Sequence, residues 1–204
     1  MPRPASSISD EFTARLRTFD RARAKLERLL VSGHVSRHDV NLFYEGIFLR
    51  TVTSFEGLLE ELFVGLLAGG ITPPRNVRSR VNLFSPSVAR DVVLGGKGYV
   101  DWLPYHHTEK RANAFFRAGQ PFSRLAKSDK IFLDRVLTIR HAVAHQSRSA
   151  RRKFEADVIA GANLLPAERT PAGYLRSVFR IAPPTTQYED IASTCAMLVR
   201  KICT

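Results

Sequence analysis

Apolar residues recur at helical spacing along most of the chain. Phe12, Leu16, Phe19, Leu26 and Leu30 follow Ser7-Ile8-Ser9-Asp10, whose spacing is that of a capping box with Asp in the acidic position, and predict a first amphipathic helix. Ser36 then caps a second long helix whose apolar set includes Val40, Phe43, Ile47, Phe48, Val52, Phe55, Leu58, Leu59, Leu62, Phe63 and Leu66. Gly69-Gly70 closes it, and its apolar content marks it as the central core element. Between 71 and 105 the period fails: Pro73-Pro74, Pro86, Gly95-Gly96 and Gly98 leave one short helix at 87–94 inside a long, partly ordered connection. A shorter helix is expected from Thr108 towards Arg117, stopped by Gly119 and Pro121. Another begins near Ser128, with Ile131, Phe132, Val136, Leu137, Ile139 and Val143 as its apolar positions, and carries 140–145 inside it. A helix is expected after Ser149-Ala150-Arg151-Arg152-Lys153, running to Ile159, and 174–181 has the character of a lone strand. The capping box Thr186-Gln187-Tyr188-Glu189 precedes Ile191, Cys195, Leu198, Val199 and Ile202 in a closing helix. The expected fold is all-α, an up-and-down bundle with a long irregular insertion, formed as a single domain over 1–204.

Composition narrows the partners. A chain of 204 residues with 44% hydrophobic content can bury one good core, and a net charge of +12 attracts polyanions, either nucleic acid or an anionic membrane surface. No apolar run reaches the roughly 20 residues that span a bilayer; 55–68 is broken by Glu56, Glu60 and Glu61. The first residues, polar or Pro, do not read as a signal peptide, and Cys195 and Cys203 read as two buried thiols on one helix, so a soluble cytoplasmic protein is expected. Arg15, Arg17, Arg21, Arg23, Lys25 and Arg28 along the first helix form either a polyanion patch or an ordinary solvated face.

The segment Arg140-His141-Ala142-Val143-Ala144-His145 is where chemistry is expected. His141 and His145 stand four apart and share a helix face, with Arg140 and Ala144 on the adjoining line. A guanidinium can bind phosphate oxygens in a fork, and an imidazole, with an ordinary pKa of about 6.5, can take or give a proton at neutral pH. RNA supplies its own nucleophile, because an oriented 2′-hydroxyl can attack the adjacent phosphorus; a base, an acid and a positive charge suffice.

Arg140 and His145, four residues between them and a polar residue directly after the Arg, resemble the signature of the HEPN-superfamily endoribonucleases, with His141 in the polar slot. Residues 50–63, Arg-Thr-Val-Thr-Ser-Phe-Glu-Gly-Leu-Leu-Glu-Glu-Leu-Phe, look like the opening helix of the RiboL-PSP-HEPN branch. Tyr99-Val100-Asp101-Trp102-Leu103-Pro104 and Gln120-Pro121-Phe122 are similar to its middle section, so the likeness covers roughly 40–150. The resemblance implies an all-α domain that dimerises with two motifs facing one cleft, and that cuts RNA without metal to 2′,3′-cyclic phosphate and 5′-hydroxyl ends. It implies that Arg140 binds the phosphate, His145 is the principal acid/base group and His141 orients or assists. It also implies a toxin or phage-defence role, silenced by an antitoxin or other inhibitor protein. The 71–105 connection and the 162–184 stretch exceed a bare helical domain and are candidates for RNA choice or inhibitor binding.

Rival readings accompany each of these residues. On the residues alone, a His pair on a helix is more often structural than catalytic, so His141 and His145 read as half-buried structural imidazoles until the resemblance is weighed, and a non-catalytic HEPN-like module binding RNA or protein is the alternative function. An i, i+4 His pair can hold zinc, but the glutamate of an HExxH site is absent, position 142 being Ala, so neither metal nor cofactor is expected. Arg148, Arg151, Arg152 and Lys153 extend either a phosphate track or a solvated face, and Ser54 and Glu56 are further substrate-binding candidates or plain helix-surface residues. His106-His107, His34 and His38 support no site, and Gly95-Gly96-Lys97-Gly98 lacks the spacing of a nucleotide-binding loop.

Overall fold

The computed structural model describes residues 2–145 and 147–204. The chain is all-α, with eight α-helices among the described residues: α1 (Ala5–Val31), α2 (Arg37–Leu67), α3 (Pro86–Leu94), α4 (Tyr105–Phe115), α5 (Lys127–Ala144), α6 (Arg148–Phe154), α7 (Pro171–Arg176) and α8 (Gln187–Cys203). Among the described residues, strands are confined to two short pairs, β1 (Arg3–Pro4) parallel to β2 (Ile71–Thr72) and β3 (Val178–Arg180) antiparallel to β4 (Thr185–Thr186). None of the described helices is long and apolar enough to cross a membrane.

Two helix starts, those of α2 and α8, follow the expected chemistry. The Ser36 hydroxyl accepts from the Asp39 N–H at 3.2 Å while the Ser36 N–H donates to the Asp39 carboxylate at 2.9 Å, opening α2. Thr186 and Glu189 do the same for α8 at 3.2 and 2.7 Å, and Ser85 caps α3 by accepting from the Val88 N–H. The first helix departs from expectation: α1 begins at Ala5, and the Ser7 hydroxyl donates back to the Pro4 carbonyl at 2.7 Å instead of capping. Pro4 fixes its own φ near helical values and sits where an N–H is not required, so the helix can start ahead of the serines.

The structure divides into two compact units. The first comprises Met1–Phe12, Ser54–Asp134 and Ala196–Thr204. Its core is aromatic: the Phe63 ring meets Phe116, Phe122, Trp102 and Phe115 with centroids 4.9, 5.0, 5.3 and 5.8 Å apart. The 71–105 connection is tied into this unit. Val77, Trp102 and Leu103 are buried, Leu83 N–H donates to the Leu67 carbonyl and Arg80 N–H to the Phe115 carbonyl. Gly65 has a packing reason, because a Cβ there would run into the Ile71 side chain where β2 crosses α2. Lys201 from α8 holds the nearly buried Asp129 carboxylate at 2.9 Å.

The second unit comprises Thr13–Thr53 and Arg135–Cys195. Its buried polar groups are paired: Arg176 binds Glu27 at 3.2 Å and the Asn41 side-chain oxygen at 3.1 Å, and the Tyr188 and Thr51 hydroxyls lie 3.2 Å apart. Residues 174–181, expected as a lone strand, are instead the end of α7 followed by β3, whose partner is β4. Thr170 and Pro171 start a helical turn that places Tyr174 inside, and only the exposed residues beyond Ser177 are extended. Tyr174 fixes the surroundings of the motif. Its ring packs edge-on against Phe154 at 6.0 Å, and its hydroxyl accepts from Arg135 at 2.6 Å and donates to Gln187 at 3.0 Å.

Candidate functional site

α5 delivers the motif at its C-terminal end. Val136 and Ile139 are buried and hold the helix down, which leaves Arg140 and His141 half-buried at its edge. The sequence expectation that the whole motif is helical needs one correction: α5 ends at Ala144 and His145 lies one residue beyond, its N–H still donating to the His141 carbonyl at 2.9 Å. The Ser147 hydroxyl, accepting from the Ala150 N–H at 3.2 Å, starts a new helix and so stops the old one. The expected helix to Ile159 is thereby split into α6 and a wider π turn over Glu155–Ile159.

This break builds the site. The His141 and His145 rings stack with centroids 5.7 Å apart and planes 24° from parallel. Both border a cavity of about 310 Å³ whose other walls are Thr138, Ser147, Ser149, Ala150 and Lys153. α6, which begins after Ser147, thus brings Lys153 into the same cavity wall, with Asp157 as the ion-pair partner of its ammonium at 2.5 Å. Burial holds the His141 pKa below the ordinary imidazole value, and the neighbouring Arg140, His145 and Lys153 add to that. His141 is therefore a neutral imidazole at pH 7, able to accept a proton or a hydrogen bond.

His145 is exposed and borders a second cavity of about 380 Å³ as well, lined by Ala142, Ser147, Arg151, Phe154, Glu155, Arg169, Thr170 and Pro171. The remaining predicted residues separate. Arg140 borders neither cavity, although its charge reaches His141. Arg151 lines the second cavity and pairs with Glu155 at 3.1 Å, while Arg148 and Arg152 are exposed and line neither. Ser54 and Glu56 are half-buried on α2 within the first unit. Arg169 and Thr170, reached only through the fold of the 155–171 segment, carried no signal in the sequence. Thr138 did carry one, standing three residues before His141 on the same helix face.

No protein-family model matches the chain, and no curated protein or solved structure matches it either.

Proposed function

We propose that this chain is a HEPN-type endoribonuclease that cuts RNA by 2′-hydroxyl transesterification without a metal. The observation that supports the reading best is the stacked His141–His145 pair on one cavity wall, with the Lys153 ammonium in the same wall. One imidazole takes the 2′-hydroxyl proton as the 2′-oxygen bonds to phosphorus. The bond from phosphorus to the 5′-oxygen then breaks, and the leaving oxygen receives a proton from the second imidazole or from water. The products are a 2′,3′-cyclic phosphate and a 5′-hydroxyl. His145, exposed between two cavities, is the principal proton-transfer group; neutral His141 assists, Lys153 in the cavity wall stabilises the developing negative charge, and Arg140, outside that wall, adds its positive potential. The reading extends to a cytoplasmic homodimer with the motif at its cleft and to a toxin or phage-defence role held silent by an inhibitor protein.

A second reading is favoured by one observation, the position of Arg140 outside both cavity walls: a non-catalytic module that binds RNA or a protein through the same basic surface. Purified protein incubated with labelled mixed-sequence RNA in excess EDTA, beside the Arg140→Ala/His145→Ala variant, decides between them. Cleavage by the wild type alone, leaving cyclic phosphate ends, supports the enzyme. Binding without product supports the module.

A further inference from the structure

The first cavity is sufficient for a phosphodiester and its two imidazoles, which leaves the second cavity without a role. It lies within the roughly 300–1,000 Å³ range of small-molecule sites, at about 380 Å³, and it shares His145 and Ser147 with the first. A strand whose phosphate lies against His145 therefore continues into it. Its lining includes the apolar Ala142 and the buried Phe154 and, among charged groups, the Arg151 and Arg169 guanidiniums and the Glu155 carboxylate. Arg151 is shared with Glu155 at 3.1 Å, whereas Arg169 donates through Nε to the Leu164 carbonyl at 3.4 Å, which uses one of the five N–H donors of its guanidinium. Apolar side chains beside two guanidiniums suit a flat base attached to a phosphate, and base-to-apolar contact is tolerant of sequence.

We propose that this second cavity is a nucleotide subsite, which holds the nucleotide next to the cut bond with its base over Ala142 and Phe154 and its phosphate on Arg169 and Arg151. The proposal rests on the ribonuclease reading for its place in the reaction, but the binding itself can be tested without it.

The test titrates the full-length protein, with ¹³C-labelled Ala and Thr methyls, separately with each of the four nucleoside monophosphates and with inorganic phosphate. The Ala142 and Thr170 methyl signals are expected to shift with at least one nucleotide, more tightly than with phosphate, while Thr138 in the first cavity responds less. Arg151→Ala/Arg169→Ala should weaken that binding roughly tenfold or more, as expected for lost charge-assisted phosphate contacts. Arg169→Ala alone, at an exposed loop position, serves if the double variant does not fold. Shifts confined to Thr138, nucleotide affinities no better than that of phosphate, or affinities unchanged in the variants would overturn the subsite. RNA cleavage assayed on the same samples separates the two readings: nucleotide binding without cleavage removes the ribonuclease and keeps the subsite, and cleavage without nucleotide binding does the reverse.

Discussion

The His145 N–H donates to the His141 carbonyl at 2.9 Å, so a backbone hydrogen bond that continues the α5 pattern ties the two histidines of the motif together even though only one lies inside the helix. The outer residue gains freedom from the helix path while its ring stays stacked on the inner one. A division of labour follows, in which exposed His145 reaches substrate and half-buried His141 is fixed behind it.

Replacing His145 with Ala should therefore lower kcat for RNA cleavage by about 10²–10⁴, the span typical of a lost general acid or base. His141→Ala should cost less in kcat, and neither variant should alter the thermal midpoint by more than a few degrees, since neither imidazole is part of the buried core. Single-turnover cleavage with matched melting curves checks both. Equal, full activity in His145→Ala would sink the assignment.

The pH dependence has a definite sign. His141 titrates below the ordinary imidazole value of about 6.5, because of burial and then of Arg140, His145 and Lys153. Above pH 6.5 it is neutral in both folded and unfolded chains; as pH falls from there through the folded value, the unfolded chain takes the proton first and stability declines. Lys153→Met removes one of the lowering charges, so the His141 titration should move up towards 6.5, and with it the acid limb of kcat/KM. NMR titration of the imidazole signals against the activity profile measures this, and an unmoved His141 titration would show that Lys153 does not act on it.

In the first unit the Phe63 ring meets four other aromatic rings within 6 Å between centroids and is fully buried. Phe63→Ala should cost about 3–5 kcal/mol of stability, the range for emptying a large core site. Urea unfolding of the variant beside wild type gives the number.

Cys195 and Cys203 are both buried, and burial pushes their thiols up to about 12. A thiol reagent at pH 8 should therefore leave both unmodified in the folded chain and label both in urea, with labelling that tracks the unfolding transition. Fast labelling without denaturant would show that the α8 face opens locally.

The sequence by itself determined most of the helices, α7 excepted, and the starts of α2 and α8. The capping residues Ser36 and Thr186 act through hydrogen bonds to residues three positions on, and the 3.6-residue period of α2 and α8 marks which side chains are buried, so both are local properties of the chain. The burial of both thiols and the pairing of His141 with His145 on one face were legible for the same reason. The end of α5 was not, because the apolar period runs through Val143 while the stop is set by Ser147 capping the next helix. Tertiary structure alone decided that Lys153 lines the cavity beside the imidazoles and Arg140 does not, since that depends on where α6 lies after Ser147. It also decided that Arg169 and Thr170 join Arg151 around a second cavity. That arrangement depends on Tyr174 packing against Phe154 and bonding Arg135, contacts between residues 20 and 39 positions apart, which no periodicity in the chain records.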